Sequence, residues 1–240
     1  MTYQSVFQRH ELKYLLTRTQ QHRILDIMKH HMAPDQYGLT QIRNIYYDTD
    51  NFRLIRHSLD KPVYKEKLRI RSYNPCNDKD TVFVELKKKY DGIVYKRRLT
   101  MPYSEATAWL AGKHSNIPPS QIGREINYFL DFYQQLKPVV FLSYQRQAWY
   151  GLDGSDFRVT FDYDITARQD RLHLSEDCSG LSILADDYVL MELKTSSGIP
   201  LWMTNVLSEN QIYKTSFSKY GTAYETTIFK GDTQYANSIV

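Results

Sequence analysis

Basic side chains alternate with other residues in three successive segments of this 240-residue chain, 64–73, 81–89 and 93–101. Arginine and lysine in such rows suit phosphate chemistry, because a guanidinium donates paired hydrogen bonds to an oxyanion and an ammonium acts as a compact positive charge. Their repulsion across a sheet predicts either a polyanionic ligand or interleaved carboxylates. The alternating charged residues are Lys65, Lys67, Arg69 and Arg71, then Glu85, Lys87 and Lys89, then Lys96 and Arg98.

The three segments are predicted to be adjacent antiparallel strands. A period of two places alternate residues on opposite faces of a strand. Asp91-Gly92, between the second and third segments, is a strong hairpin signal. The interleaved residues, such as Leu68, Ile70 and Val84, are apolar and can pack on a core. A solvated outer face would also explain one charged sheet face, so the interpretation depends on whether the pattern recurs.

The charge pattern recurs on other predicted strands, and helices are predicted between and after them. The further strands lie at 7–16, 41–48, 139–149, 157–164 and 187–195. Their alternating residues include Glu11 and Lys13, Tyr144 and Arg146, then Arg158, Thr160 and Asp162, then Glu192 and Lys194. The predicted helices cover 17–31, 50–58, 104–111, 122–135 and 201–208, with Thr17 and Ser104 as N-caps of the first and third.

A sheet with one ionic and one apolar face can cover both by closing on itself. The predicted fold class is therefore α+β, a closed antiparallel barrel of about eight strands whose charged residues line a lumen and whose apolar faces pack outward on helices. Cations outnumber carboxylates among the predicted lumen residues. Burying so many charges is prohibitive unless water or a polyanion with metal ions fills the space. Mg²⁺ or Mn²⁺ would suit carboxylate and phosphate oxygens.

Composition and length are consistent with an ordinary globular protein. The net charge of +4 and the pI near 8.8 permit an anionic ligand without requiring one. Cys76 and Cys178 are too few and too far apart for a disulfide framework or a metal site. No signal region and no run of 18 apolar residues is present, so a cytoplasmic protein is expected. One domain is predicted over residues 1–240, with an ordered core from about 7 to 220 and a flexible tail.

These motifs resemble the VTC domain, the catalytic domain of vacuolar-transporter-chaperone-type polyphosphate polymerases, in the triphosphate tunnel or CYTH-like superfamily. The shared Glu-x-Lys and Arg-x-Arg motifs are Glu11-Leu-Lys13, Leu68-Arg-Ile-Arg71, Glu85-Leu-Lys87 and Glu192-Leu-Lys194. More specific to the VTC branch are Tyr144-Gln-Arg146, Arg158 in Arg-Val-Thr-Phe-Asp, and Ser218-Lys219. The resemblance extends from Phe7 to about Tyr220. It departs at Ser216, where family members often place a basic residue.

The resemblance implies ATP-dependent synthesis of polyphosphate in the tunnel, with Mn²⁺ or Mg²⁺ as cofactor and with ATP and polyphosphate as ligands. The implied catalytic residues are Lys13, Arg69, Arg71, Lys87, Arg146 and Arg158. The candidates for further phosphate or nucleotide contacts are Lys96, Arg98, Tyr144, Lys194, Ser218 and Lys219. Glu192 is the implied metal ligand, with Glu11 and Glu85 as further candidates. Because the chain lacks the membrane domains of eukaryotic relatives, export would need a separate membrane-protein partner, which would hold the protein at the inner face of a membrane.

Two other functions fit the same residues. A tunnel triphosphatase would use water in place of the phosphate acceptor and would hydrolyse inorganic or nucleoside triphosphate. A non-catalytic polyphosphate- or RNA-binding module would use the cations for backbone contacts alone. Tyr64, Tyr73, Tyr90 and Tyr95 could then stack bases. Carboxylates that bind a metal would repel a nucleic-acid backbone, so no nucleic-acid partner is expected.

Overall fold

The computed structural model describes residues 6–112 and 120–229 of the chain. Strands and helices alternate in an α+β arrangement, as predicted. The strands are β1 Val6–Thr17, β2 Met32–Asp48, β3 Tyr64–Tyr73, β4 Thr81–Tyr90, β5 Ile93–Pro102, β6 Lys137–Gly151, β7 Arg158–Arg168, β8 Leu181–Ser182, β9 Tyr188–Thr195 and β10 Lys214–Thr215. The helices are α1 Arg18–Met28, α2 Arg53–Leu59, α3 Tyr103–Leu110, α4 Gln121–Tyr133, α5 Leu201–Glu209 and α6 Lys219–Ala223, with a π-helix over Tyr224–Phe229.

All ten strands belong to one antiparallel sheet, and two of them, β8 and β10, have only two residues each. The strand order is β10-β1-β5-β4-β3-β2-β6-β7-β8, and β9 pairs with both β1 and β7. Residues 6–9 of β1 pair with β5, whereas residues 10–17 pair with β9. The second pairing sets Glu11 opposite Lys194 and Lys13 opposite Glu192. Charge motifs from the two ends of the chain are therefore neighbours.

The charged strands β3, β4 and β5 are joined in the predicted register. Tyr90 pairs with Ile93, and Asp91 and Gly92 between them have φ values of 43° and 81°. Two successive positive φ values are typical of the type I′ turn that joins hairpin strands. In this register Glu85 lies opposite both Arg69 of β3 and Arg98 of β5. The charged rows of the three strands therefore share one face.

The opposite, apolar face of the sheet packs against helices in separate clusters. Leu68, Val84 and Leu86 of β3 and β4 pack with Trp109 of α3 and Phe129 of α4. A second cluster joins apolar residues of β1, β7 and β9 to α1 and α5, and a third brings α2 and α6 together with β2 and β6. Helices α1, α3, α4 and α5 thus cover the sheet on the side away from the charged rows, whereas α6 carries Lys219 on the charged side.

Some helix boundaries differ from the sequence prediction. The side chain of Thr17 accepts a hydrogen bond from the Gln20 backbone N–H, and the Gln20 side chain accepts one from the Thr17 N–H, which makes the predicted N-cap of α1 a capping box. The prediction of Ser104 as a cap was wrong, because Pro102 is the N-cap of α3. Regular structure continues past residue 220 to Phe229, and the rest of the predicted flexible tail lies outside the described residues.

Within residues 6–112 and 120–229, none of the helices is both long enough and apolar enough to span a bilayer.

Candidate active site

The charged faces of seven strands meet in a shared space, here called the ionic interior. Lys87 of β4 donates a hydrogen bond to Glu11 of β1 at 2.6 Å, although β5 lies between those strands. Arg71 of β3 reaches the hydroxyl oxygen of Tyr144 on β6 at 2.9 Å, across β2. Strands two apart in a sheet are separated by roughly 10 Å, a distance that two long side chains bridge only from the same face. The ionic interior is lined by Glu11, Lys13, Lys67, Arg69, Arg71, Glu85, Lys87, Lys96, Arg98, Arg146, Asp162, Glu192, Lys194 and Lys219.

Glu85 is fully buried at the centre of one group of cations, the Glu85 cluster, which comprises Glu85, Arg69, Arg71, Lys96 and Arg98. Arg69 donates from Nε and Nη2 to Glu85 Oε2 at 2.9 and 2.7 Å. Arg98 Nε donates to Oε1 at 2.7 Å, where Lys96 Nζ also lies at 3.5 Å. Arg71 Nε is 3.9 Å from Oε2. Both carboxylate oxygens are occupied, so this cluster presents cations to a ligand.

Burial alone would raise the pKa of Glu85, but the surrounding cations outweigh burial and hold that pKa well below its ordinary value. Lys96 shows the opposite balance. Its burial outweighs the attraction of Glu85 and lowers the pKa of Lys96 to about 7. The cluster therefore holds its carboxylate charged, whereas its single lysine, Lys96, exchanges a proton near neutral pH.

Asp162 and Glu192 form a second group with the cations of four different elements. Arg146 Nε and Nη2 donate to the two oxygens of Asp162, each at 2.6 Å. Lys219 Nζ of α6 lies 2.5 Å from Asp162 Oδ2 and 3.1 Å from Glu192 Oε1, so it joins the two carboxylates. With Lys13 and Lys194, described next, these residues make up the Asp162–Glu192 cluster.

Glu192 contacts two lysines of the Glu-x-Lys motifs. Lys194 Nζ lies 3.0 Å from Glu192 Oε2, and Lys13 Nζ lies 3.6 Å from Oε1. Burial raises the pKa of Glu192, but Lys219, Lys194 and the other cations hold it well below its ordinary value. Burial lowers the pKa of Lys13 to about 8, despite the nearby carboxylate. Lys13 also donates a hydrogen bond to the Phe217 carbonyl oxygen at 2.9 Å, which ties β1 to the segment before α6.

Residues of β2 and β6 that belong to neither cluster form hydrogen bonds with Arg69 and Arg71. The Tyr46 hydroxyl accepts a hydrogen bond from Arg69 Nη1, and Asn44 Oδ1 accepts one from Arg71 Nε, both at 2.9 Å. The ring of Tyr46 also stacks on that of Tyr220. The sequence carried a signal for both residues, because Asn44 and Tyr46 alternate on one face of the 41–48 strand.

The remaining predicted site residues lie at the edges of this arrangement. Ser218 is the N-cap of α6, and its hydroxyl accepts a hydrogen bond from Lys67 Nζ at 3.0 Å. Arg158 is exposed and pairs in register with Lys194, two residues before Thr160, whose hydroxyl accepts a hydrogen bond from Lys194. Arg158 thus continues the charged row of β7 toward solvent.

The three glutamates predicted as metal ligands are not brought together. Glu85 is surrounded by cations, Glu192 contacts Asp162 through Lys219, and Glu11 pairs with Lys87, which helps to lower the pKa of Glu11 to about 2 against the effect of burial. In the described part of the chain, no group of three or more His, Cys, Asp or Glu residues could hold a metal ion. Among the carboxylates of the ionic interior, Glu192 and Asp162 form the pair whose oxygens best suit a hard divalent cation.

A family model for the VTC domain matches residues 8–228. A solved structure of a candidate adenylate cyclase from Bacillus halodurans is 16% identical, with a TM-score of 0.57 over 90% of this chain and 96% of that one. A candidate adenylyl cyclase from Hippeastrum, described as having a dominant triphosphatase activity, is 14% identical, with a TM-score of 0.52 over 92% of this chain and 97% of that one. No curated protein matches the sequence. The two structures share the fold, and the family model covers nearly all of the described chain, which belongs to the VTC domain family.

Proposed function

We propose that this chain is an ATP-dependent polyphosphate polymerase that works inside a tunnel enclosed by its sheet. The ionic interior carries the proposal, because it gathers ten cations around four carboxylates on inward faces of the strands. An excess of partly buried positive charge is costly without a counter-charge, and a phosphate chain supplies one. Enclosure of the tunnel is supported by β9, whose two edges pair with β1 and β7.

In this proposal the two clusters hold successive phosphates. Arg69, Arg71 and Arg98 offer guanidinium groups that are already oriented by Glu85 and suit bidentate contacts to phosphoryl oxygens. Phosphoryl transfer depends on in-line positioning and charge neutralisation more than on a protein nucleophile. A terminal phosphate oxygen of the chain would attack the γ-phosphorus of ATP. The bond from the γ-phosphorus to the bridging oxygen would break, and ADP would leave with that oxygen.

The Asp162–Glu192 cluster is the proposed position of the divalent metal. Glu192 and Asp162 would hold Mn²⁺ or Mg²⁺, which would supply further neutralisation of phosphoryl oxygens when bound. Lys13, Lys194 and Lys219 surround the same carboxylates and would contact phosphate beside them. Glu85 has no second carboxylate among the contacts of its cluster, which favours a role in positioning Arg69 and Arg98 over a role as a metal ligand.

The remaining predicted ligands fit along the same path. Lys87 and Lys96 lie opposite each other on β4 and β5, and Tyr144 contacts Arg71 while its ring lies near Arg146 and Lys219. Arg158, exposed at the edge of the charged row, would meet a chain that enters or leaves. A cytoplasmic location with a separate membrane-protein partner is part of the same proposal, on the strength of the family resemblance.

A triphosphatase is the second candidate, because the Hippeastrum protein, which shares the fold, is described as having a dominant triphosphatase activity. Incubation of the purified protein with ATP and Mn²⁺ separates the candidates when long-chain polyphosphate, ADP and free phosphate are all measured. We expect polyphosphate with a matching amount of ADP. Free phosphate without polymer would favour the triphosphatase, and neither product would favour a binding module.

A further inference from the structure

Lys67 differs from the other cations of the ionic interior in its surroundings. Each of the others lies within 4.0 Å of a carboxylate oxygen. For Lys67, no such carboxylate occurs among residues 6–112 and 120–229. Its Nζ donates to the hydroxyl of Ser218 and lies 5.8 Å from the centre of the Tyr220 ring, both neutral groups of α6 or its cap. Lys67 is therefore a partly buried cation held by neutral partners.

The charged groups that act most strongly on Lys67 are cations. Lys13 approaches from β1, Lys87 from β4, and Lys65 and Arg69 flank it on β3. On the side of α2, the Ser58 carbonyl oxygen accepts a hydrogen bond from the neighbouring Lys65. Burial first, and then these like charges, lower the pKa of Lys67 well below its ordinary value. Without a ligand, its ammonium form is thus unfavourable.

An anion beside Lys67 would remove this penalty, because it supplies the missing counter-charge and favours the protonated amine. The space between Lys67, Lys13 and Lys87 is where such a group would meet three amines from three strands. Lys13 and Lys87 are already compensated by Glu192 and Glu11. Of these three amines, Lys67 is therefore the one whose charge state responds most to the arrival of a ligand.

We propose that Lys67 is an anion-binding residue that takes up a proton when a phosphate chain enters, so that phosphate binding by this protein is coupled to proton uptake. This inference rests on the proposed function and adds to it a residue with no assigned role and a dependence on pH. The affinity for phosphate chains should fall as pH rises above neutrality, because an increasing share of the binding energy is then used to protonate Lys67.

Titration calorimetry of the full chain with inorganic tripolyphosphate, at pH 7.5 in two buffers with different enthalpies of ionisation, tests the proposal. Wild-type protein should take up about one proton more per ligand than Lys67→Met, and protonation of the ligand itself cancels in that difference. Lys67→Met should bind about tenfold more weakly, since it loses a charge-assisted hydrogen bond. Lys67→Arg, which stays protonated, should keep most of the affinity but lose the extra proton uptake.

The matched control is Lys88→Met, because Lys88 lies on the opposite face of β4 and pairs with Glu125 at 3.7 Å. It should leave affinity and proton uptake unchanged. A second measurement excludes a merely structural role. Lys67→Met removes an amine whose loss of a proton on folding costs free energy, so it should raise the melting temperature of the ligand-free protein. Equal proton uptake and affinity in wild type and Lys67→Met would overturn this inference alone. Absence of tripolyphosphate binding by wild type would instead overturn the proposed function.

Discussion

The Glu85 cluster and the Asp162–Glu192 cluster compensate buried charges in two different ways. In the first, a single carboxylate of β4 with 0% exposure holds four cations from the two flanking strands, β3 and β5. In the second, two carboxylates share four cations that come from β1, β6, β9 and α6. One cluster is assembled within 30 residues of sequence around a single centre, whereas the other joins both ends of the chain.

The difference concerns how much each cluster depends on one residue. Removing Glu85 would leave its arginines with neutral hydrogen-bond partners, namely Tyr46 for Arg69, Asn44 for Arg71 and Tyr73 for Arg98. Removing Glu192 would leave Asp162 to hold Arg146 and Lys219. Glu85 is thus expected to matter most for stability and Glu192 for ligand chemistry. The predictions below test this division, beginning with the largest effect.

Glu85→Gln should lower the free energy of unfolding by about 3–5 kcal/mol, because it leaves several buried cations uncompensated. Glu192→Gln should lower it by about 1–3 kcal/mol, since Asp162 remains. Urea denaturation at pH 7 measures both. Similar losses in the two variants would show that the clusters do not differ as proposed.

Arg69→Ala and Glu192→Ala should each reduce ATP-dependent product formation by at least about 100-fold while the protein stays folded. Arg69 donates two hydrogen bonds to one oxygen of Glu85, whose charge would still be met by Arg98, Lys96 and Arg71. Rates of ADP release, with circular dichroism as the check on folding, separate the two roles. Unfolded variants would show that these residues are structural. Arg69→Lys should restore only part of the activity, because an ammonium cannot form paired hydrogen bonds.

The ligand-free protein should become more stable as pH rises from 7 to about 10. A lysine whose folded pKa lies below its unfolded value destabilises the fold while both states hold the proton, and the penalty is relieved above the folded pKa. With pKa values of about 7 for Lys96 and about 8 for Lys13, the two lysines together account for a gain of up to about 6 kcal/mol.

Variants can assign this gain to the two clusters. Lys96→Met should flatten the curve from pH 7 upward, and Lys13→Met should flatten it only from about pH 8, as measured by urea denaturation across the range. A curve that falls between pH 7 and 9 in the wild type would contradict the assignment. The carboxylates act in the opposite direction, because the stability they provide is lost as pH falls through lowered folded pKa values such as that of Glu11, about 2.

The smallest effect is expected outside the ionic interior. Glu125 of α4 pairs with Arg97 at 3.0 Å and with Lys88 at 3.7 Å on the helix-covered face of the sheet, with partly exposed side chains. Glu125→Gln should lower the free energy of unfolding by no more than about 1 kcal/mol, in line with other solvent-accessible ion pairs. The same urea titration measures it. A loss as large as that of Glu85→Gln would mean that burial does not explain the contrast.

Sequence patterns alone determined the strands, their charged faces and most of the Glu85 cluster. The alternation in β3, β4 and β5 and the Asp91-Gly92 turn fix the register of neighbouring strands locally, so Arg69, Glu85 and Arg98 could be placed on one face in advance. The Glu-x-Lys and Arg-x-Arg motifs also predicted the family that the match over residues 8–228 shows.

Only the tertiary structure decided which charges meet. Lys13 pairs with Glu192 and Lys219 joins Asp162 to Glu192 because β9 lies between β1 and β7 and α6 packs near them. The same long-range pairing places Glu11 and Glu192 on neighbouring strands, whereas Glu85 lies among the cations of β3 and β5. It also brings Lys67 beside Ser218, with no carboxylate within 4.0 Å among the described residues. The alternation of residues along a strand indicates on which face of that strand each side chain lies. Its partner across the interior depends on the order and curvature of strands far apart in sequence, which no local pattern encodes.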